Sequence, residues 1–137
     1  MIINCHSQFS LRYGILSIEE IFQFAQQNGH SVIGISEINS TTTLHDFLRI
    51  SSKQSELSIV WGIDFRNAAT QNFVAYANSA EGVLELSNFL SIHLHTKNKI
   101  PHRAPEFQHS RVVYPFRIIK NEQFELNDGE FIGVHAE

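Results

Sequence analysis

Three side chains stand where a parallel α/β protein would place its chemistry. His6 follows the first apolar run, Glu37 the second and Asp64 the third. Ligands bind at the carboxyl ends of the strands in such folds, so an imidazole and two carboxylates on one rim make a candidate divalent-metal site. Any parallel sheet also carries polar residues at its strand ends, and spacing alone does not separate the two interpretations. The first run, ending Asn4-Cys5-His6-Ser7, narrows the question. Alternate side chains of an extended strand share a face, so Asn4 and His6 point one way and Cys5 the other. Of the two that converge, only His6 is a good metal ligand.

The other reactive residue types offer less. Cys5 faces away from His6 and is expected to be a small buried thiol. His30 follows the helix-terminating Gly29, His45 falls on the solvent side of a helix, and His93 and His95 are two apart on a helix and do not share a face. These histidines, with His102, His109 and His135, are assigned to solvated surface, as are Lys97, Lys99 and Arg103 around Pro101. The chain contains no G-x-S-x-G, no glycine-rich phosphate loop and no C-x-x-C.

Positioning elements follow from periodicity. Met1–Cys5 is a short apolar strand. Ser17-Ile18-Glu19-Glu20 fits a capping box, in which Ser17 accepts from the backbone of Glu20 and the Glu20 side chain reaches back. Ile18, Ile21, Phe22 and Ala25 then hold one helical face, and Gly29 supplies a left-handed stop. Val32–Ile35 and Ile59–Ile63 are continuously apolar, as strands covered on both faces are. Between them Leu44, Phe47 and Leu48 make a second amphipathic helix after capping chemistry at Asn39–Thr43. Strand, helix, strand, helix, strand predicts parallel strands with helices outside. Asn72–Ala77 is a fourth strand, and a helix starting near Asn78 and Glu81 carries Val83, Leu86, Leu90 and Leu94 to about His95. Thr96–Ser110, with Pro101 and Pro105, is expected to be a surface loop. Val112–Tyr114 and Phe131–Val134 read as further strands, and a chain stopping directly after the last of them looks cut at Glu137.

With 137 residues, 42% hydrophobic and 11 phenylalanines, the chain can form the core of one domain or part of a larger one. Ten basic against 14 acidic residues leave a net charge of -4, which argues against a domain whose main task is gripping nucleic-acid backbone. A single cysteine, no charged-then-apolar leader and no apolar run of membrane length point to a cytoplasmic protein.

The residues also carry a family resemblance. Cys5-His6-Ser7 through Phe9-Ser10-Leu11 and Gly14, then Ile35-Ser36-Glu37-Ile38-Asn39, then Trp61-Gly62-Ile63-Asp64-Phe65, resemble the opening of the PHP (polymerase and histidinol phosphatase) domain. Together with Ala77-Asn78-Ser79-Ala80-Glu81-Gly82 and Leu86, they are similar to the N-terminus of bacterial replicative DNA polymerase III alpha subunits. The resemblance implies an α/β fold that is part of a distorted (β/α)7 barrel with parallel strands and outer helices. It also implies metals at the strand ends, since intact members are phosphoesterases. Carried over position by position, the first histidine of the opening His-x-His is lost at Asn4 and the second is kept at His6. An aspartate falls at Tyr13. The Asp-His pair becomes Glu37-Ile38, a glutamate becomes Asp64, and a histidine falls at Asn72. Asn4, Tyr13, Ile38 and Asn72 ligate poorly or not at all, and His6 and Asp64 alone hold a catalytic metal badly.

The expectation is therefore a structural or subunit-docking PHP segment, with no catalytic residue and no required cofactor. Its vestigial metal site, His6, Asp64 and Glu37, would hold at most weakly bound zinc or manganese. Magnesium would serve palm-domain aspartates of the parent polymerase that are absent here. The implied partners are the remainder of the polymerase chain, a proofreading exonuclease and other replisome subunits, with DNA reached through the parent chain and no membrane. Two alternatives stay open: a metal-dependent phosphoesterase or 3'-5' exonuclease, and a free-standing PHP-like interaction module.

Overall fold

The computed structural model describes residues 1–53, 57–121 and 124–134; His135 and Glu137 lie outside them. Among the described residues six strands form one sheet in sequential order. They are β1 (Ile2–Cys5), β2 (Val32–Ile38), β3 (Ser58–Asn67), β4 (Thr70–Ala77), β5 (Ser110–Pro115) and β6 (Glu130–Gly133). Helices α1 (Ile18–Gln27) and α2 (Leu44–Ser51) connect the first three strands, and α3 (Ala80–Thr96) joins β4 to β5. A 3-10 helix, Phe116–Asn121, follows β5.

The helix boundaries follow local chemistry. The Ser17 hydroxyl accepts from Glu20 N at 3.2 Å while the Glu20 carboxylate accepts from Ser17 N at 2.7 Å, closing the capping box. Ile18, Ile21, Phe22 and Ala25 are buried, and Gly29 takes the left-handed conformation beyond the helix end. The cap of α3 is Ser79, one residue after the expected Asn78, and Lys97 in the left-handed region ends the helix. Leu48 and Leu94 are exposed, contrary to expectation. On α3 the packed line runs instead through Phe89, whose ring meets His93 in a tilted contact with centroids 4.5 Å apart.

Strand direction departs from the all-parallel expectation. β1, β2 and β3 run parallel, but β4 is antiparallel to both β3 and β5, and β5 and β6 are parallel again. Ala68 and Ala69 alone join β3 to β4, with Ala68 at φ 52°. A parallel crossover needs about a dozen residues, so the link forces a hairpin. Asn67-Ala68-Ala69-Thr70 lacks the Asn-Gly or Asp-Gly signature that would have announced the turn.

One face of the sheet carries both apolar cores. Ile33 and Ile35 pack with α1, Ile50 and Leu57; Trp61, Ile63, Phe65, Phe73, Ala75 and Tyr114 pack with Leu86 and Leu90 of α3. The segment between α3 and β5 joins this core through Ile100 and Ala104, so it is more than the surface loop expected. Among the described residues no α-helix covers the opposite face, which the 3-10 helix reaches through Phe116 and Arg117. There the Tyr76 ring lies across two glycines, since a Cβ on Gly34 would come within 2.9 Å of the ring and one on Gly62 within 2.7 Å. Ile3 and Asn4 of β1, Val74 and Tyr76 of β4, Val113 of β5 and Gly133 of β6 line one concave cavity of about 700 Å³. Edge strands β1 and β6 thus face a common space, and the sheet is a curled half-barrel.

Candidate functional site

His6 is aimed by an irregularity in β1. Ile2 pairs with Ile33 and Cys5 with Ile35, so Ile3 and Asn4 together oppose Gly34. Asn4 absorbs the extra residue at φ 60°, a conformation asparagine tolerates better than most residues. Ile2 and Cys5 pack toward α1, whereas Ile3 and Asn4 line the concave face. The expected division, Asn4 with His6 and Cys5 opposite, is present, but a bulge produces it. Tyr76 stabilises the bulge by accepting from Asn4 N at 2.6 Å, and the Ser36 hydroxyl donates to Asn4 Oδ1 at 3.1 Å. Burial pushes the Tyr76 phenol up to about 12 and the Cys5 thiol up to about 11, so neither ionises near neutrality.

Asp64 is the centre of the site and is fully buried. It lies inside β3, paired with Ile38 on one side and Val74 on the other, two residues before Arg66. Its Oδ2 meets His6 Nε2 at 2.9 Å, Arg66 Nε at 3.0 Å, Arg66 Nη2 at 2.7 Å and Gln71 Nε2 at 2.8 Å. Oδ1 is buried with no partner among the described residues. Burial acts to raise the carboxyl pKa, but the hydrogen bonds from His6, Arg66 and Gln71 and the Arg66 charge outweigh it and hold the group below the ordinary aspartate value.

Arg66 and Gln71 were not among the expected site residues. An Asp-x-Arg pair on one strand does place both side chains on one face, a signal present in the sequence. Gln71 reaches the site only because the hairpin pairs it with Arg66 beyond an irregularity after Phe65. Asn39 fixes the Arg66 backbone, accepting from Arg66 N at 2.9 Å and donating to Arg66 O at 2.8 Å. The two bonds carry the β2–β3 ladder one step past Ile38.

Glu37 does not join this group. It pairs with Ile63, on the opposite face of β2 from Ile38, so the expected convergence of one imidazole and two carboxylates is absent. Its buried carboxylate accepts from Ser7 N at 3.0 Å and makes a short hydrogen bond with the Ser10 hydroxyl, which itself accepts from Ile38 N at 3.0 Å. Glu37 thereby anchors the loop that follows β1, where Gln8 N donates to Leu16 O at 2.8 Å and Gly14 lies so close to Ser7 that a Cβ would sit 2.1 Å from its carbonyl oxygen. Tyr13 of that loop lies over the Arg66 guanidinium at 4.4 Å. Asn72, fully buried, turns away from Asp64 and donates to Ile100 O at 3.0 Å and Pro101 O at 3.3 Å. Arg103, expected to be merely solvated, pairs with Glu130 at 2.8 Å.

These residues do not fit a catalytic metal centre. An ionised Asp64 can only accept, so His6 Nε2 donates to it and the imidazole keeps its lone pair on Nδ1. Asp64 Oδ2 is saturated by donors, which leaves Oδ1 as the oxygen of that carboxylate without a partner among the described residues. Among the described residues no group of three or more His, Cys, Asp or Glu side chains is placed to hold an ion. The arrangement can bury a carboxylate and position a loop.

The family model of the PHP domain matches residues 3–126. No curated protein matches the chain. Among the described residues no helix is long and apolar enough to cross a membrane.

Proposed function

Since the chain belongs to the PHP domain family, we propose that it is the N-terminal PHP region of a replicative DNA polymerase III alpha subunit, serving as a scaffold and docking segment and not as a phosphoesterase. The observation that carries this proposal is the environment of Asp64. A phosphoesterase needs metals to activate water, and here the retained carboxylate is committed to His6, Arg66 and Gln71. The polymerase assignment rests on the ordered resemblance from Cys5-His6-Ser7 to Leu86. A scaffold role is also supported by the concave face, which no α-helix among the described residues covers and whose walls include Ile3, Val74, Val113 and Val134. An apolar concave face of this kind marks a surface that packs against more protein, here the remainder of the polymerase chain.

Hydrolysis assays on p-nitrophenyl phosphate and on 3'-labelled DNA, with magnesium, manganese or zinc supplied, test the scaffold proposal. No metal-stimulated turnover is expected; turnover abolished by His6→Ala would refute it. The polymerase assignment is tested by the reading frame after codon 137 and by co-purification with a proofreading exonuclease subunit. A frame continuing through paired catalytic aspartates supports it, and an immediate stop codon refutes it.

A further inference from the structure

The PHP family implies metal at a position where this chain's residues do not fit one, and the site nevertheless contains a cation. We propose that the Arg66 guanidinium, held beneath the Tyr13 ring, is the built-in counter-ion of Asp64 and closes the site to divalent metal. The inference rests on membership of the PHP family and is independent of the polymerase assignment.

Three features distinguish Arg66 from an incidental surface ion pair. Asp64 has no exposed side-chain surface and Arg66 only 9%, so the pair is desolvated. Two guanidinium N–H groups fall on one oxygen, at 2.7 and 3.0 Å. The backbone beneath the guanidinium is held on both sides by Asn39, and its upper face is covered by Tyr13. Tyr13 stands where the family's aspartate is expected, so one change removes a ligand and supplies the ring that seats the replacing cation. Glu37, next to the lost histidine position at Ile38, holds the loop that carries Tyr13. Former ligand positions are thus tied into keeping the guanidinium in place.

The test compares wild type, Arg66→Ala, Asp64→Asn and the double variant by thermal melting and equilibrium dialysis against zinc and manganese. Wild type is expected to retain no metal. Arg66→Ala, with a buried uncompensated carboxylate, is expected to melt roughly 10 °C lower and to regain part of that shift when zinc is added. The double variant is expected to melt above Arg66→Ala and to ignore zinc. If Arg66→Ala does not fold, the double variant decides: a folded chain supports the counter-ion role, and an unfolded one overturns it. Near-stoichiometric zinc in wild type that is lost in His6→Ala, an Arg66→Ala chain as stable as wild type, or one indifferent to zinc would each overturn the proposal.

Discussion

Replacing Glu37 with glutamine keeps the volume of the side chain and removes the feature that organises the loop over the site. The carboxylate accepts two hydrogen bonds, from Ser7 N at 3.0 Å and from the Ser10 hydroxyl, and all three residues are buried. Glutamine retains one acceptor for Ser7 N, but its amide nitrogen cannot accept from Ser10. Hydrogen bonds to a charged group contribute about 1.5–3 kcal/mol each. Losing one and neutralising the other should cost about 2–4 kcal/mol. For a chain of this size roughly 4 °C accompanies each kcal/mol, so the melting midpoint should fall by roughly 8–16 °C. The loss should be concentrated in the loop after β1. Hydrogen exchange at the amides of Gln8, Tyr13 and Gly14, which donate to Leu16 O and Ser10 O, should accelerate by at least ~10-fold, the equivalent of about 1.4 kcal/mol. Ser10→Ala removes the same hub, so its effect should not add to that of Glu37→Gln. A variant with an unchanged midpoint and unchanged exchange at those amides would refute the anchoring argument.

Other perturbations separate the remaining contributions. Tyr76→Phe leaves the bulged Asn4 N–H without its acceptor on the concave face and should destabilise by about 1–3 kcal/mol in urea unfolding; an effect under ~0.5 kcal/mol would mean that water replaces the phenol. Asp64 has a folded pKa below its unfolded value of about 3.9. Its stabilisation is therefore complete above that value and is lost as pH falls through the folded pKa. Urea midpoints across the acid range should show this fall in wild type and a shallower one in Asp64→Asn, and parallel curves would contradict the assignment. Cys5, with its thiol pushed up to about 11, should react with iodoacetamide at ~pH 8 far more slowly than a model thiol until the chain is unfolded; equal rates would show that the thiolate is accessible.

Much of the architecture was legible because it is decided within a few residues. The Ser17–Glu20 capping box and Gly29 bracket α1, and its buried face is the one its periodicity predicts. The apolar runs at β1, β2 and β3 are strands, and the outward turn of Cys5 follows from alternation even though a bulge lies beneath it. Glu37 shows how close the sequence came. Ile33, Ile35 and Glu37 share parity, and extending β2 through Ile38 places Glu37 on the helix-covered face with the two isoleucines. Ending the strand at Ile35 and treating Glu37 as a rim residue hid that, because a strand-end argument ignores parity.

The sequence by itself determined the limits of α1 and the membership of the PHP family over residues 3–126. The tertiary structure alone decided the direction of β4, the entry of Gln71 and the commitment of Asp64 to Arg66 beneath Tyr13. The physical reason is range. Capping and periodicity act between residues three or four apart, whereas the site depends on pairings between residues 58 and 7 apart, His6 and Gln71 with Asp64. Those pairings are set by a two-residue link at Ala68–Ala69 and a bulge at Asn4, neither of which has a composition that announces it.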